Sequence, residues 1–470
     1  MPRPLGLDGA QVVVAGAGTT GQACADVLGE QGARVLVVDD AWPEPLPAAW
    51  RTPERAEVRR GDAAAGLPPD VDLVVASPGW PPHHPLLRAA EAAGVPVWGE
   101  VGLAWALRGP GDPPWLVVTG TNGKTSTVRL LAAILAADGR RAAAVGNVGS
   151  PLVRAAAHPE GLDVLAVELS SFQLHAAGAM AATAAAVLNI APDHLDWHGS
   201  MAAYTADKAR AYQGAQVAAV HNLDDPLTGE LASAADTGHS CRRVGFGLGV
   251  PGPDSLGVVE DLLVDRAFAA PGTAVELARL SDMVPLAPHT VANTLAAAAL
   301  ARAAGVGPAA VAGGLARYVP DPHRIATVAV VDGVTWVDDS KATNTAAAAA
   351  SLAAFPRVVW VAGGLAKGAS MDELVARAAD RLVGVVLLGR DQDLFVDALA
   401  RHAPQVPVVT VRTTDTGVMD SVVAAAAGLA RAGDAVLLAP ACASMDLFTD
   451  YADRGDQFAA AVRRLAVAPG

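Results

Sequence analysis

The sequence predicts an α/β fold in three domains, and three observations predict it. Short β-branched runs alternate with alanine-rich helical stretches along most of the 470 residues. Glycine-rich turns join strand to helix at Gly16–Gly21 and again at Gly120–Lys124. Breaks rich in glycine and proline fall at 109–114 and 320–322.

In residues 1–108, Gln11–Ala15 reads as a strand, followed by Gly16-Ala17-Gly18-Thr19-Thr20-Gly21 and a helical stretch to Gly32. A second strand, Arg34–Val38, ends at Asp39-Asp40. Strand, GxGxxG, helix, strand, acid is the dinucleotide-binding pattern, so this domain is expected to be Rossmann-like. A further strand, Leu73–Ala76, ends in Ser77-Pro78-Gly79. The second domain, 109–320, opens with a strand (Leu116–Thr119), a glycine loop and a helix (Lys124–Asp138). Strands at Val164–Glu168 and Ala184–Asn189 follow, then a helical stretch around Tyr204–Tyr212. The alanine-rich segment Ala176–Ala191 reads as a helix plus a strand. The third domain, 321–470, has strands at Val328–Val331, Val334–Val337, Val358–Ala362, Val383–Leu388 and Ala435–Ala439, with a helix near Ala346–Ala354. This alternation predicts mostly parallel sheets in the second and third domains.

The net charge of −14 argues against a general nucleic-acid binder, which needs a basic face. Three scattered cysteines, Cys24, Cys241 and Cys442, form no CxxC pair and point to a reducing compartment. Neither a signal peptide nor an 18-residue apolar span is evident, so a cytoplasmic protein without a membrane partner is expected. Of 34 basic residues only four are lysine: Lys124, Lys208, Lys341 and Lys367. Abundant Ala, Gly and Arg fit a GC-rich coding bias. Lysines that survive such a bias stand where arginine cannot, because lysine is a compact charge that can lose its proton and react.

Three motifs carry chemistry. Thr119-Gly120-Thr121-Asn122-Gly123-Lys124-Thr125-Ser126 lies between a strand and a helix. Backbone N–H groups there can cradle phosphate, Lys124 can reach the outer phosphates, and Thr125 can bind Mg²⁺. The loop is a short variant, with Val118 where the general pattern has glycine. Glu168 ends an apolar strand in Glu168-Leu169-Ser170-Ser171-Phe172-Gln173, a place from which a carboxylate can hold Mg²⁺. Asn189-Ile190-Ala191-Pro192-Asp193-His194-Leu195-Asp196-Trp197-His198 offers His194 as a metal ligand. On the GxGxxG turn alone, an NAD-dependent oxidoreductase or a nucleotide-sensing module is an open reading, but it leaves these motifs unused.

Together with Lys208, these motifs resemble the Mur ligase family. The resemblance continues through His289…Asn293, His323-Arg324, Asp338-Asp339-Ser340-Lys341-Ala342-Thr343-Asn344, Gly363-Gly364…Lys367-Gly368 and Pro440-Ala441-Cys442-Ala443-Ser444-Met445-Asp446. The last three blocks resemble the branch that adds D-glutamate to UDP-N-acetylmuramoyl-L-alanine. The muramate–alanine branch has a histidine where Asn122 stands, and the Arg-bearing motif of the diaminopimelate- or lysine-adding branch is not found. Another muramyl ligase or a folylpolyglutamate-type ligase is the nearest alternative.

The resemblance implies a cytoplasmic ATP-dependent ligase of peptidoglycan precursor synthesis, working through an acyl phosphate and acting as a monomer on small molecules. It re-reads the first domain as UDP-binding, the second as ATP-binding and the third as amino-acid-binding. Gly18, Thr19, Thr20, Asp39, Asp40, Ser77, Pro78, Gly79, Asn147 and Ser170 would then hold the UDP-substrate. Gly120, Thr121, Asn122, Gly123, Lys124, Thr125, Ser126, Asn293, Arg324 and Asp339 would hold ATP. Thr343, Lys367, Ser444, Met445 and Tyr451 would form the D-glutamate pocket. Lys124, Glu168, His194, Lys208 and Lys341 would be catalytic. Thr125, Glu168, His194 and a carbamylated Lys208 would hold two Mg²⁺ ions. Three positions depart from the family pattern: Thr125 replaces a usual serine, Thr290 a common asparagine, and Tyr451 a usual phenylalanine.

Overall fold

The structure, a computed structural model, describes residues 6–40, 56–60, 66–412 and 417–467. The domain limits expected at residues 1 and 470 lie outside these. The chain divides into two compact units, Met1–Asp282 with Ala292–Tyr318, and Met283–Val291 with Val319–Gly470.

The first unit contains two sheets. The N-terminal one is parallel and ordered β3-β2-β1-β4-β5, from β1 (Gln11–Ala15), β2 (Arg34–Asp39), β3 (Ala56–Arg60), β4 (Leu73–Ala76) and β5 (Val97–Gly99). Its helices are α1 (Thr19–Glu30), α2 (Pro85–Ala92) and α3 (Glu100–Ala106). Val12, Val13 and Val14 are buried on successive faces, as a parallel strand covered on both sides requires. Strand order reverses between β1 and β4, so the Gly16 and Ser77 turns meet at one crevice. A Cβ on Gly21 would lie 1.8 Å from the Gly16 carbonyl oxygen, so α1 can start this close to β1 only with glycine there.

The central sheet comprises β6 (Trp115–Thr119), β7 (Ala142–Gly146), β8 (Val164–Glu168), β9 (Ala184–Val187), β10 (Ala218–Asn222), β11 (Arg242–Phe246), β12 (Ser255–Val259), β13 (Leu262–Asp265) and β14 (Val275–Arg279). Its order is β14-β13-β12-β11-β10-β9-β6-β8-β7, antiparallel at the β12–β13–β14 edge and parallel elsewhere. The helices are α4 (Lys124–Ala137), α5 (Leu152–Ala157), α6 (Ser171–His175), α7 (Leu195–His198), α8 (Met201–Ala209), α9 (Pro226–Ala234), α10 (Pro288–Ala303) and α11 (Pro308–Arg317). The helix expected at the start of Ala176–Ala191 is not formed. α6 stops at His175, Gly178 takes φ +68°, and residues 176–183 reach β9 without regular structure. Burial of Ala177, Met180 and Ala182 outweighs the helical propensity of the alanines. The 109–114 break is an ordered turn, where Arg108 donates to the Asp112 and Pro113 carbonyls and stacks on Trp105 and Trp115.

The second unit holds β15 (Ala326–Val331), β16 (Val334–Asp338), β17 (Val358–Ala362), β18 (Leu382–Leu387), β19 (Val408–Thr410) and β20 (Ala435–Leu438) in the order β15-β16-β20-β17-β18-β19. β15 and β16 pair antiparallel and the rest are parallel. Its helices are α12 (Thr345–Leu352), α13 (Asp372–Ala378), α14 (Gln392–His402), α15 (Val418–Leu429) and α16 (Tyr451–Val467). Asn344 caps α12 by accepting from the Ala347 N–H. Trp360 and Phe395 pack one face of the sheet, Trp336 and Phe458 the other.

Candidate active site

Three neighbouring central strands, β9, β6 and β8, end side by side, and each leads at its C-terminal end into one of the segments the sequence singled out. β6 runs into the Gly120–Gly123 loop. Gly123 has φ +85°, and a Cβ there would fall 2.4 Å from Asn293 Oδ1, so the glycine lets Asn293 lean on the loop. The loop is fastened to the segment after β9. Asn122 N donates to Asn189 Oδ1, Asn189 Nδ2 donates to the Asn122 carbonyl, and Ala191 N donates to Thr121 Oγ1.

Two lysines converge on one carbonyl. Lys124 Nζ donates to the Gly120 and Thr121 oxygens at 3.0 and 2.9 Å, and Lys208 Nζ to the Gly120 oxygen at 2.8 Å. Lys208 is 2% exposed. Burial, and then the charge of Lys124, pushes its ammonium well below the usual lysine range. Glu168, at the end of β8, is buried. Its Oε1 accepts from Asn147 Nδ2 at 2.9 Å, while Oε2 is buried with no hydrogen-bond partner. A buried carboxylate oxygen of this kind suits a cation. His194 takes φ +52°, and its ring lies 4.7 Å from that of Phe172. Among the described residues no three His, Cys, Asp or Glu side chains already form a metal cage. A set of Thr125, Glu168, His194 and Lys208 would therefore hold a metal only together with a modified lysine or ligand oxygens.

α8 links these parts, and the sequence motifs did not reveal how. Tyr204 OH lies 2.8 Å from Thr121 Oγ1, and Lys208, one turn on, reaches Gly120. Between them, Asp207 is bonded by His175 Nδ1 at 2.9 Å and His198 Nδ1 at 3.0 Å. His198 Nε2 lies 3.0 Å from Ser171 Oγ. Ser, His, Asp is the order of a nucleophilic triad. Ser171 is 2% exposed and the His198 side chain is fully covered, so no substrate can reach either group. Burial lowers the His198 pKa, favouring the neutral ring that donates to Asp207 and accepts from Ser171. The network fixes α6, α7 and α8 together. The i, i+4 spacing puts Tyr204 and Lys208 on one face of α8, but it does not mark the network.

At the N-terminal sheet, Asp39 Oδ2 accepts from Ala17 N at 2.7 Å, inside the GxGxxG turn, and Asp40 pairs with His84. Gly18 and Thr19 are exposed beside this turn, with Thr20 partly covered. A cavity of about 310 Å³ runs behind Ser77 and Pro78, between Trp80, Glu100, Phe172 and Trp197. Ser77 Oγ and Trp197 Nε1 line it as buried polar atoms without partners. Ser170 spends its hydroxyl in a capping box with Gln173, whose amide donates to Glu100.

In the second unit the turn holding Arg324 lies between two left-handed residues, His323 (φ +62°) and Ile325 (φ +47°). It is fastened to the loop after β16: His323 Nδ1 pairs with Asp338 at 2.6 Å, and Ile325 N donates to Asp339 Oδ1. Burial pushes the Asp339 carboxyl up to about 6. Lys341 Nζ sits 3.7 Å from the centroid of the Tyr451 ring. Leu365 and Ala443 exchange backbone hydrogen bonds, joining the loops that carry Lys367 and Ser444. Lys367 is exposed with φ +50°, Ser444 is buried and Met445 is 63% exposed. Arg454, buried, donates to Ser340 Oγ, the Ser340 carbonyl and the Cys442 carbonyl, which ties the Lys341 and Ser444 loops together. The motifs had not singled out Arg454. Thr343 lies in the same loop as Lys341, its N–H bonded to the Lys341 carbonyl.

A strand–glycine loop–helix turn with a buried lysine beside it defines a phosphate-loop class, and the chain belongs to the Mur ligase family. Residues 10–99 match the Mur ligase MurD-like N-terminal domain, 118–301 the Mur ligase middle domain, and 323–442 the Mur ligase glutamate ligase domain. The UDP-N-acetylmuramoylalanine–D-glutamate ligase of Streptomyces avermitilis is 60% identical over 461 residues, covering 97% of this chain and 98% of that protein. The protein of the same name from Thermobifida fusca is 56% identical, covering 98% and 99%. The fold is similar to that of the MurF ligase of Thermotoga maritima in complex with ADP (TM-score 0.58, 17% identity, 98% and 96% covered). It is also similar to that of the UDP-N-acetylmuramate–alanine ligase of the same organism (TM-score 0.56, 16% identity, 97% and 99% covered).

Proposed function

We propose that this protein is an ATP-dependent ligase that joins D-glutamate to UDP-N-acetylmuramoyl-L-alanine in cytoplasmic peptidoglycan precursor synthesis. The observation that carries this reading is the 60% identity, over nearly the whole of both chains, to a ligase of that name. Lys124 turned onto the Gly120 and Thr121 carbonyls of the glycine loop supports it, because phosphoryl transfer between anions needs positive charge at the phosphates.

In this reading residues 1–108 hold the UDP moiety through the Gly18–Thr20 turn, Asp39, Asp40 and Ser77–Gly79, with Asn147 and Ser170 placing the sugar end. Residues 109–320 hold ATP through Gly120–Ser126 and Asn293, and residues 321–470 add Arg324 and Asp339. The substrate carboxylate attacks the γ-phosphorus of ATP, the bond to ADP breaks, and an acyl phosphate forms. The D-glutamate amine, held by Thr343, Lys367, Ser444, Met445 and Tyr451, attacks the acyl carbon, losing a proton as phosphate leaves. Lys341 offers positive charge to the transferring phosphate.

Two Mg²⁺ ions, when bound, screen the phosphates from the attacking carboxylate. Thr125, Glu168, His194 and the carbamate of Lys208 are the groups that would hold them. A carbamate forms when an unprotonated amine attacks CO₂ and loses a proton. Burial, which lowers the Lys208 pKa, favours such an amine. The chain works as a monomer on small molecules, with no nucleic-acid or membrane partner.

The deciding experiment measures phosphate release from ATP and Mg²⁺ with UDP-N-acetylmuramoyl-L-alanine and a panel of amino acids. Release with D-glutamate alone, with the mass of the amide product, is expected. Release with a different amino acid would overturn the pocket assignment, and none with any amino acid would overturn the ligase reading.

A further inference from the structure

Four tyrosines occur in the chain, and one of them, Tyr451, opens α16 with its ring directly beneath a lysine. Lys341 Nζ is 3.7 Å from the ring centroid, well inside the range in which an aromatic face attracts an ammonium. The placement is fixed from both sides. Ser340 Oγ, next to Lys341, donates to the Tyr451 carbonyl at 2.7 Å. Arg454, on the first turn of α16, donates to Ser340 Oγ and the Ser340 carbonyl at 2.9 Å each. The backbones of loop and helix are thus locked in register, which keeps the ring and the ammonium within reach of each other.

We propose that Tyr451 is a positioning residue for Lys341, holding its ammonium by cation–π attraction, and not merely a wall for the amino-acid substrate. The proposal rests on the reading that Lys341 acts at the transferring phosphate. A ring face favours a positive charge without neutralising it, whereas a carboxylate would cancel the field the phosphate needs. Phenylalanine offers the same face, so Tyr451→Phe keeps the attraction. An aliphatic side chain of similar bulk does not.

Two measurements test this. With lysine ¹³C-labelled at the ε carbon, the free protein has four ε-methylene signals, one for each lysine. The Lys341 signal is expected upfield through the ring current of Tyr451, and expected to return to the ordinary lysine position in Tyr451→Leu. Activity is then measured with phenylalanine, 4-fluoro-, 3,5-difluoro- and 3,4,5-trifluorophenylalanine at position 451, which keep the shape but drain the ring face. The expected result is a stepwise fall in kcat, about tenfold across the series, with the KM for D-glutamate unchanged. A flat kcat across the series, a change confined to the D-glutamate KM, or a Lys341 signal that ignores Tyr451→Leu would overturn the proposal. A ring-shifted Lys341 signal in a protein that releases no phosphate with any amino acid would instead defeat the ligase reading and leave the seat standing.

Discussion

Two lysines in this protein rest on tyrosine rings, and the two seats differ. Lys208 and Tyr204 are one turn apart on α8, with the ammonium 4.8 Å from the ring centroid and hydrogen-bonded to the Gly120 carbonyl. Lys341 and Tyr451 are brought together by tertiary structure at 3.7 Å, in a partly exposed loop. The first amine is buried beside another cation, an environment that disfavours its charged form. The second has a closer ring and more solvent, an environment suited to a standing charge. The same pair of residue types therefore sits in a buried setting that disfavours the charged amine in one unit and in a partly exposed setting that tolerates it in the other, and the difference lies in burial.

Replacing each lysine by arginine breaks this comparison most sharply. Guanidinium stays protonated and cannot carry a carbamate. Lys208→Arg is expected to lower kcat by about three orders of magnitude, and Lys208→Ala to regain part of its activity with added short-chain carboxylic acids. Arginine also stacks on aromatic faces, so Lys341→Arg should retain more activity, with a loss of about 10- to 100-fold. Steady-state kinetics on both variants decide. Equal losses would mean that the seats do not differ in kind, and a fully active Lys208→Arg would remove the carbamate from the reading.

A smaller effect tests what holds the first seat in place. Asp207 accepts from two imidazoles, and replacing its carboxylate by an amide leaves one of those N–H groups facing a weaker acceptor or a donor. α8 then loosens, and both of its contacts with the Gly120 loop shift. Asp207→Asn is expected to reduce kcat about tenfold while the KM for D-glutamate stays unchanged. A rise in that KM instead would show that the network supports the amino-acid site. Under Lys341 the holding groups are Ser340, Arg454 and the His323–Asp338 pair, in which Asp338 accepts from the Ser340 N–H and the His323 carbonyl from the Lys341 N–H.

Much of this site was legible in the sequence because the chemistry sits at strand ends. The apolar runs ending at Thr119 and Glu168 gave both the strands and the loops that follow. The scarcity of lysine pointed to the same four residues as the motifs. What stayed hidden was tertiary. Asp207, His198 and Arg454 look like ordinary helix residues until folding buries them, and no spacing rule joins His175 to Asp207 across 32 positions. The β12–β13–β14 edge was also missed, since Val275–Arg279 alternates apolar and charged residues only briefly. Alanine misled at 176–183, where propensity favours a helix and core packing forbids it.

The smallest expected effect concerns the cost of the second seat. Asp339 stands two residues before Lys341, accepts from the Ile325 N–H and from Ser351 Oγ, and is almost fully buried. Burial raises its pKa to about 6, with the Ser351 and Ile325 hydrogen bonds opposing the rise. The native state therefore holds this proton more tightly than the unfolded chain, whose carboxyl titrates near about 4. The contribution to stability is fully present below about pH 4, is lost as pH rises to about 6, and stays lost above that. Asparagine keeps the acceptor for Ile325 and can donate to Ser351, but carries no charge to desolvate. Asp339→Asn is expected to be more stable than the parent by about 2 kcal/mol at pH 8, with the gap closing towards pH 4. It should at the same time lose activity, because the carboxylate is assigned to ATP. Thermal unfolding of both proteins across this range measures the gap. A gain of equal size at pH 4 and pH 8 would show that desolvation of the carboxylate is not its cause.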